Sequence, residues 1–564
     1  MEVSHYLEQL LGYQSICASK GSTDPRFHEL LPMVTVTNPK DCASQVKLFS
    51  SPETNLQSWF SYENSAYVYI WGSPVHSEFS GEGLLEWCMR VIAEKRYECF
   101  RELLGIFVIL IDEPVQHRLT FVTDILGVRP MFLTNQNGRI VFGSDVWALQ
   151  EAGVGYGKIN YDAVCAWIVY GYNCTNQSLF TNLRRLAAGS VTVFREGQET
   201  EFSYATFESS SLVLPTDRIV EDIHAITSSV VRTLVSKHPK VNFALSGGYD
   251  SRYLLALSSS LTSTSLECCT VSFTKEEKGI SQEVAASLGL PLKEIPVGSS
   301  IWDLYDHAFH FAGDGFPISK FVTYCVAQQS PGVPMVNGFM GDSLIRGSKD
   351  KFLGKYEKEV DGDLVDVLQQ KHMMSNCHGF RSEKATRILA RSRVPMEHAV
   401  KKGITLGKVF AWADFYYRQR FYISNNFLQH SHLSDALLPF YSWNLLAYKM
   451  GHDYSVFTPE VYQGIFKRYF PRLSQIPRTS DTPPSRQKIF GVAQCTKRWA
   501  REIFPCVLTN QRLSLLEKKR CIPLMAAGMI GMRKAESSVF LFKRLHLLEE
   551  TSRHFGVDFD WEAI

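Results

Sequence analysis

The stretch VNFALSGGYDSRYLLALSSSL, residues 241–261, passes from an apolar run through a turn of small residues into a second apolar segment. Its first five residues are typical of a short buried strand, and residues 252–261 have the spacing of a helix. The small residues between them are turn formers, so an ordinary turn would be enough to explain this segment. A glycine turn at the start of a helix also lets backbone N–H groups surround a phosphate. The residues of this turn are Ser246, Gly247, Gly248, Asp250 and Ser251.

The flanking sequence repeats the same alternation. Apolar residues from Ile219 to Leu234 recur every three or four positions and predict a helix before the stretch. After it, ECCTVSFT (267–274) predicts a second strand and SQEVAASLGL (281–290) a second helix. Strands that alternate with helices favour a parallel sheet with crossover connections. The turn would then lie at the carboxyl edge of the sheet, where open α/β sheets bind ligands.

A second acidic turn follows later in the chain. Asp250 would repel a bare phosphate, so its presence predicts a bridging Mg²⁺. The stretch VPMVNGFMGDSLIRG (333–347) again has a short apolar run, followed by Asn337, Gly338 and Asp342. We therefore predict that Asp250 and Asp342 bind Mg²⁺ together on a nucleotide triphosphate. Two unrelated glycine–aspartate turns remain the alternative.

The first part of the chain has a different pattern. Residues 1–205 contain short runs of β-forming residues separated by turn residues, which predicts an antiparallel-sheet domain. The serine-rich stretch ATFESSSLVLPTD (205–217) predicts a linker. We therefore expect two domains, over residues 1–205 and 216–564, with mostly helical structure after about residue 400. The predicted strands are residues 67–72, 107–112, 118–124, 131–134, 139–145 and 190–194.

Composition excludes several classes of protein. The 564 residues carry 59 basic and 57 acidic side chains, a net charge of +2, so no nucleic-acid surface is indicated. The sequence has no apolar run long enough for a membrane span and no signal-peptide pattern at its start. Its 13 cysteines are scattered without a C-x-x-C pair, as is typical of reduced thiols. These features predict a soluble cytoplasmic protein.

Three ordered blocks resemble the asparagine synthetase family. LSGGYDSR (245–252) resembles that family's pyrophosphatase loop, S-G-G-x-D-S, and NGFMGD (337–342) takes the place of its S-G-E-G-S-D-E segment. In the first domain, LLGIF (103–107) and DILGVRP (124–130) are similar to the glutaminase-domain motifs L-x-G-x-F and D-x-x-G-V-[KR]-P. The resemblance implies an N-terminal antiparallel β-sandwich of the Ntn type with helices. It also implies a C-terminal α/β domain of the adenine-nucleotide α-hydrolase (PP-loop) type, with a parallel sheet and a helical C-terminal part.

The resemblance further implies a reaction. ATP and Mg²⁺ would bind at the glycine loop, a substrate carboxylate would attack the α-phosphate, and an amine would capture the acyl-adenylate to give an amide and AMP. Asp250 and Asp342 would hold Mg²⁺, while Leu245 and Val271 would flank the adenosine. The remaining residues expected to bind ATP are Ser246, Gly247, Gly248, Ser251, Asn337 and Gly338.

The sequence departs from the family in its first domain. The family's nucleophilic cysteine follows the initiator methionine, whereas Glu2 stands there in this chain and the first cysteine is Cys17. The N-G-E segment that holds glutamine is also absent from YVYIWGSPVHSE (67–78). We therefore expect this domain to keep the fold without hydrolysing glutamine. β-Lactam synthetase, carbapenam synthetase and lasso-peptide cyclases resemble the family in this way, because their amine is already on a bound substrate.

Four residues concern the acceptor and the late catalytic groups. Phe339 and Ser343 replace family glutamates and predict an acceptor pocket with less charge and more apolar surface. Two further residues are candidates for catalytic groups of the family. Lys488, in RQKIF, is the candidate for a lysine that the family carries late in its sequence. Asp435, four residues before Pro439, is the candidate for a family glutamate. The leading hypothesis is thus an ATP-dependent amide synthetase for an unidentified carboxylate and amine. A glutamine-hydrolysing asparagine synthetase and an inactive nucleotide-binding or scaffold relative are the alternatives, and a homodimer is left open.

Overall fold

A computed structural model describes residues 65–478 with gaps, together with three strand segments before residue 65. Glu2, Cys17 and Lys488 lie outside the described residues, so the predictions about them stay predictions. The gaps are residues 137–138, 145, 147–148, 150–156, 208–209, 272–274, 296–321, 347–363, 373–381, 402–405, 429 and 432.

Two antiparallel sheets form the first domain. One has the strand order β2-β1-β8-β7-β9 and the other the order β11-β10-β6-β5-β4-β3. The six strands predicted from the sequence correspond to β4, β5, β6, β7, β8 and β10. Among the described residues, the strands of this domain are β1 (Val34–Thr37), β2 (Lys47–Phe49), β3 (Leu56–Ser61), β4 (Ala66–Gly72), β5 (Phe107–Glu113), β6 (Arg118–Thr123), β7 (Phe132–Gln136), β8 (Arg139–Gly143), β9 (Arg184–Arg185), β10 (Ser190–Arg195) and β11 (Gln198–Ser203).

The two sheets pack face to face. Alternate residues of β5, Val108 and Leu110, join Leu133 and Phe142 of the other sheet in one apolar cluster. The opposite face of β5 joins the larger core with two helices, α1 (Glu82–Ala93) and α2 (Tyr161–Tyr170). Because both faces of β5 are covered, all of its residues are buried. The predicted antiparallel sandwich with helices is confirmed.

A parallel sheet forms the second domain, with the strand order β14-β13-β12-β15-β16. Every pair in it is parallel, so all five strands end at one edge. The predicted parallel sheet is confirmed. Its strands are β12 (Lys240–Ala244), β13 (Ser265–Thr270), β14 (Leu292–Glu294), β15 (Met335–Val336) and β16 (Ala436–Leu437), and its helices are α3 (Thr216–Val235), α4 (Tyr249–Leu261), α5 (Lys275–Ser287) and α6 (Val322–Gln329).

The later part of the second domain is helical as far as the structure describes it. Two segments have π-helical hydrogen bonding, Asp342–Arg346 and Asp414–Ile423. In the described part of the chain, no helix combines the length and the apolar character that a membrane crossing requires. The later helices are α7 (Leu364–His372), α8 (Ser382–Ser392), α9 (Val394–Val400), α10 (Leu406–Ala413), α11 (Asn425–Leu428), α12 (Trp443–Gly451), α13 (Pro459–Tyr469) and α14 (Pro471–Ser474).

The two domains are joined by buried polar contacts. The Tyr441 hydroxyl, just before α12, donates to Asp124 of the first domain and accepts a hydrogen bond from the backbone N–H of Leu126 at 2.8 Å. Arg420 donates to the carbonyl oxygen of Leu186 at 2.8 Å. The described part of the predicted linker also packs on the second domain, because Phe207 stacks on Trp443 with ring centroids 4.9 Å apart.

Candidate nucleotide and metal site

The glycine turn joins the end of β12 to the start of α4. Ser251 Oγ accepts a hydrogen bond from the backbone N–H of Ser246 at 3.1 Å, and the Gly248 N–H donates to Ser246 Oγ at 3.3 Å. These hydroxyls fix the shape of the turn. No side chain caps α4, and a Cβ added to Gly248 would meet only Ser246 Oγ within 4 Å. The first N–H groups of a helix without a side-chain cap can bind an anion, so the turn fits a phosphate.

The second acidic stretch lies directly against this turn. A Cβ added to Gly338 would come within 2.8 Å of Asp250 Cβ, and one added to Gly341 within 2.5 Å of Asp250 Oδ1. Only glycine leaves room for Asp250 at this distance. The two stretches, nearly ninety residues apart in the sequence, therefore meet at the carboxyl edge, where β12 and β15 are neighbours.

The two carboxylates interact with each other. Burial and the negative charge of Asp342 raise the pKa of Asp250 to about 8, although a hydrogen bond from Tyr462 and the charge of Arg346 oppose the shift. Asp342 accepts a hydrogen bond from Arg346 Nη2 at 3.0 Å. A cation would stabilise the ionised form of Asp250, which burial and the nearby charge of Asp342 disfavour.

The donor set fits Mg²⁺ bound together with phosphates. Among the described residues, no group of three or more His, Cys, Asp or Glu side chains could hold a metal ion without other ligands. Mg²⁺ characteristically uses one or two carboxylates and completes its shell with substrate phosphates and water. Asp250 and Asp342 provide these two carboxylates beside a phosphate-sized turn.

Other predicted nucleotide residues also lie at this edge of the sheet. Leu245 and Val271 follow the neighbouring strands β12 and β13, and both are buried. Asn337 follows β15, and its backbone N–H donates to the carbonyl oxygen of Leu437 at 2.9 Å. Their contacts with ATP stay predictions.

The predicted acceptor pocket is not supported. Phe339 is only 4% exposed, and its ring packs against Phe427 and Tyr441, with centroids 4.9 and 5.8 Å away. Ser343 is also buried, and its hydroxyl donates to Asp414 Oδ2 at 2.6 Å. Both side chains belong to the interior of the domain, so neither is retained as an acceptor contact.

The catalytic role expected for Asp435 is not supported either. Asp435 precedes β16 in an all-parallel sheet, so it lies at the amino edge, opposite Asp250 and Asp342. Its charge acts on Arg129 and His238. Burial lowers the pKa of Arg129 to about 10 and also lowers the pKa of His238, and Asp435 opposes both shifts. Asp435 therefore lies near the first domain, away from the candidate site.

Sequence reasoning missed two residues that support the site. Tyr462 of α13 donates its hydroxyl hydrogen bond to Asp250 Oδ1 across 212 residues of sequence. Arg252, fully buried in α4, donates to the carbonyl oxygens of Ile476 at 2.7 Å and Pro477 at 2.9 Å. The signal for Arg252 is a charged residue at the end of the LSGGYDSR block, directly before the apolar run YLLAL of the helix. No local pattern marks Tyr462.

Comparisons with known proteins agree with this architecture. The glutamine amidotransferase domain family matches residues 74–205, and the asparagine synthase family matches residues 223–437. The chain is 23% identical over 248 residues to asparagine synthetase [glutamine-hydrolyzing] 1 of Bacillus subtilis (strain 168), which covers 41% of this chain and 39% of that protein. It is 25% identical over 166 residues to asparagine synthetase [glutamine-hydrolyzing] 3 of the same organism, which covers 29% and 27%. The chain thus aligns with less than half the length of these relatives.

Two solved structures are also similar. One is the glutamine phosphoribosylpyrophosphate (PRPP) amidotransferase from B. subtilis complexed with ADP and GMP, at 10% identity and a TM-score of 0.20, covering 42% of this chain and 72% of that one. The other is the allosteric regulatory enzyme of purine biosynthesis, at 10% identity and a TM-score of 0.22, covering 48% and 75%. These scores are too low to add to the description of the fold.

The two family matches occur in the order of the two domains in the structure, and together they span more than half of the sequence. Strands β5 to β11 of the antiparallel sandwich lie within the first match, and Asp250, Gly338, Gly341 and Asp342 lie within the second. The chain belongs to the asparagine synthetase family.

Proposed function

We propose that this protein is an ATP-dependent, AMP-forming amide synthetase that adenylates a substrate carboxylate and transfers the acyl group to an amine from a source other than glutamine. The observation that carries the proposal is the meeting of Asp250 and Asp342 beside the uncapped start of α4. An ordinary turn would not require two glycines of a distant segment packed against its aspartate, with a second carboxylate beside it.

Each part of the site has a role in this reaction. The N–H groups at the start of α4 would hold phosphate oxygens, and Asp250 and Asp342 would hold Mg²⁺. The ion, when bound, neutralises charge on the phosphates and on the departing pyrophosphate. A substrate carboxylate oxygen attacks the α-phosphorus, and the bond from that phosphorus to the bridging oxygen of pyrophosphate breaks. The amine nitrogen then attacks the acyl carbon, AMP leaves, and the nitrogen loses a proton.

The cysteines of the first domain bear on the source of the amine. A cysteine that attacks glutamine needs a lowered pKa. Burial instead raises the pKa of Cys88 to about 12, and it also raises the pKa values of Cys99 and Cys174. In the described part of the first domain, none of these three thiols is therefore suited to the role. This supports an amine that does not come from glutamine.

Isotope transfer tests the reaction directly. The purified protein is incubated with Mg²⁺, ATP and a panel of ¹⁸O-labelled carboxylates that includes aspartate, other amino acids and short peptides. Adenylation predicts pyrophosphate and AMP as products, with one ¹⁸O atom from the carboxylate in the AMP. ADP and phosphate as products would contradict the proposal, because they would place the attack on the γ-phosphate.

Adding glutamine to the assay distinguishes the proposed function from a second candidate. The named relatives make a glutamine-hydrolysing asparagine synthetase the second candidate. We expect no glutamate to form when glutamine is added and no increase in AMP formation. Glutamate formed in proportion to AMP, with aspartate as the best carboxylate, would favour the second candidate. Asp342→Asn serves as the inactive control in both experiments.

A further inference from the structure

Tyr462 connects a distant helix to the candidate metal site. It lies in α13, 212 residues after Asp250, and its side chain is fully buried. Its hydroxyl donates a hydrogen bond to Asp250 Oδ1. Asp250 has no second hydrogen-bond partner among the described residues, so this tyrosine is the one donor that orients the carboxylate there.

The ring of Tyr462 is held firmly in place. Tyr249 and Tyr253, on the helix that carries Asp250, pack against it with ring centroids 5.4 and 6.3 Å away. Phe466, one turn later in α13, lies 6.4 Å away. A buried ring surrounded by other rings has little freedom to rotate, so the direction of the hydroxyl is fixed.

Gly341 also limits the space around the same oxygen of Asp250. A Cβ on Gly341 would lie 2.5 Å from Oδ1, which shows that this oxygen faces the Gly341 backbone. Oδ1 is therefore occupied by Gly341 and Tyr462 together. Oδ2 remains as the oxygen of Asp250 that can bind a cation.

We propose that Tyr462 is a positioning residue that holds Oδ1 of Asp250 so that Oδ2 faces the Mg²⁺ of the bound nucleotide. The inference rests on the proposed function, because it assigns a role within the same site. Partners of metal-binding side chains orient the ligand, and their loss costs metal affinity without removing the ligand itself.

The test uses binding, so it does not depend on knowing the substrate. Mn²⁺ replaces Mg²⁺, and electron paramagnetic resonance measures its affinity for the full-length protein in the presence of saturating ATP. For Tyr462→Phe we expect the affinity for Mn²⁺ to fall about 10- to 100-fold. The affinity for metal-free ATP, measured by calorimetry, should change less than about twofold.

Tyr253→Phe is the matched control. Tyr253 is equally buried in the same aromatic cluster, but its hydroxyl contacts His224 Nδ1 at 3.1 Å rather than Asp250. Both variants lose one buried hydroxyl and keep the ring. We therefore expect similar shifts in melting temperature and a change in Mn²⁺ affinity for Tyr462→Phe alone.

A double variant separates positioning from packing. In the Asp250→Asn background, Tyr462→Phe should cause no further loss of Mn²⁺ affinity, because the group it orients no longer binds metal. An equal loss in both backgrounds would overturn the inference, as would equal Mn²⁺ affinity of Tyr462→Phe and Tyr253→Phe. If the wild-type protein bound neither ATP nor Mn²⁺·ATP, the proposed function itself would fail, and the inference with it.

Discussion

Two aspartates in this molecule accept a hydrogen bond from a tyrosine, but Asp124 is fully buried whereas Asp250 is only partly buried. Asp124, between the domains, accepts from Tyr441, and Asp250, in the cleft, accepts from Tyr462. The backbone N–H groups of Phe107, Val128 and Arg129 also donate to Asp124, at 3.3, 2.8 and 3.0 Å. Both oxygens of Asp124 are thus occupied, whereas Asp250 retains one.

The difference separates a structural carboxylate from one prepared for a ligand. Burial raises the pKa of both groups. At Asp124, four donors counter the shift, and each of them stabilises the ionised form. At Asp250 a single hydroxyl donates and a second carboxylate, Asp342, adds to the shift. The number of donors already present, rather than burial, indicates which aspartate would bind a cation.

The largest expected effect on stability comes from Asp124. Asp124→Ala leaves four buried donors without their acceptor, so we expect the free energy of unfolding to fall by about 3–5 kcal/mol. Urea denaturation followed by fluorescence measures this. Glu98→Ala, at an exposed position of the same domain, should change it by less than about 0.5 kcal/mol. Equal effects of the two variants would contradict a structural role for Asp124.

Replacing Asp250 should lower activity without lowering stability, in contrast to the result expected for Asp124. Asp250→Asn is expected to lower AMP formation about 10²- to 10³-fold, since it removes one of two carboxylates for the ion. The free energy of unfolding without metal should stay the same or rise, because a partly buried carboxylate with a raised pKa has been replaced by a neutral amide. Activity assays and urea denaturation on the same preparation check both parts. A large loss of stability would instead indicate that Asp250 has a structural role like that of Asp124.

Removing the hydroxyl of Tyr441, the tyrosine partner of Asp124, should cost less stability than removing the Asp124 carboxylate. Tyr441→Phe removes a donor to Asp124 and the acceptor of the Leu126 N–H, so we expect a loss of about 1–3 kcal/mol of stability. Affinity for Mn²⁺·ATP should stay within about twofold of the wild type. A loss of Mn²⁺ affinity comparable to that of Tyr462→Phe would remove the distinction between the two pairs.

The contact of Tyr253 with His224 involves no carboxylate, and because His224 is only half-buried, solvent screening should keep its effect on stability below that of Tyr441→Phe. Burial, with a contribution from Arg468, lowers the pKa of His224 from its ordinary value of 6.5 to about 4. The unfolded chain therefore binds more protons between these pH values, so the free energy of unfolding should fall as the pH drops from about 6.5 to about 4. His224→Asn should make this decline shallower in pH-dependent urea denaturation. Parallel curves for the two proteins would contradict the assignment.

Local patterns predicted the parts of the fold that depend on neighbouring residues. The strand before Ser246, the helix after it and the parallel sheet follow from short periodic segments and turn residues. The convergence of Asp250 and Asp342 also followed, because the ends of parallel strands share one edge. In the first domain, strands β1, β2, β3, β9 and β11 were missed. Strand β9 has only two residues, and β11 is an edge strand with all of its residues exposed.

Other features depend on contacts between distant segments. Phe339 was assigned to a pocket from its replacement of a family glutamate, but Phe427 and Tyr441 enclose its ring in the core. Asp435 was assigned from its distance to a proline, but the direction of β16 places it at the opposite edge. Tyr462 had no signal in the sequence, because its hydroxyl meets Asp250 only after α13 packs on α4.

Anomalous diffraction tests the central claim, a shared metal site on Asp250 and Asp342, most directly. Crystals of the protein soaked with Mn²⁺ and ATP should give one strong anomalous peak at the carboxyl edge of the parallel sheet. We predict that this peak lies about 2.0–2.2 Å from Oδ2 of Asp250, or one water molecule away, and similarly near Asp342 and the ATP phosphates. Bound ATP with no manganese peak between the two carboxylates would contradict the account.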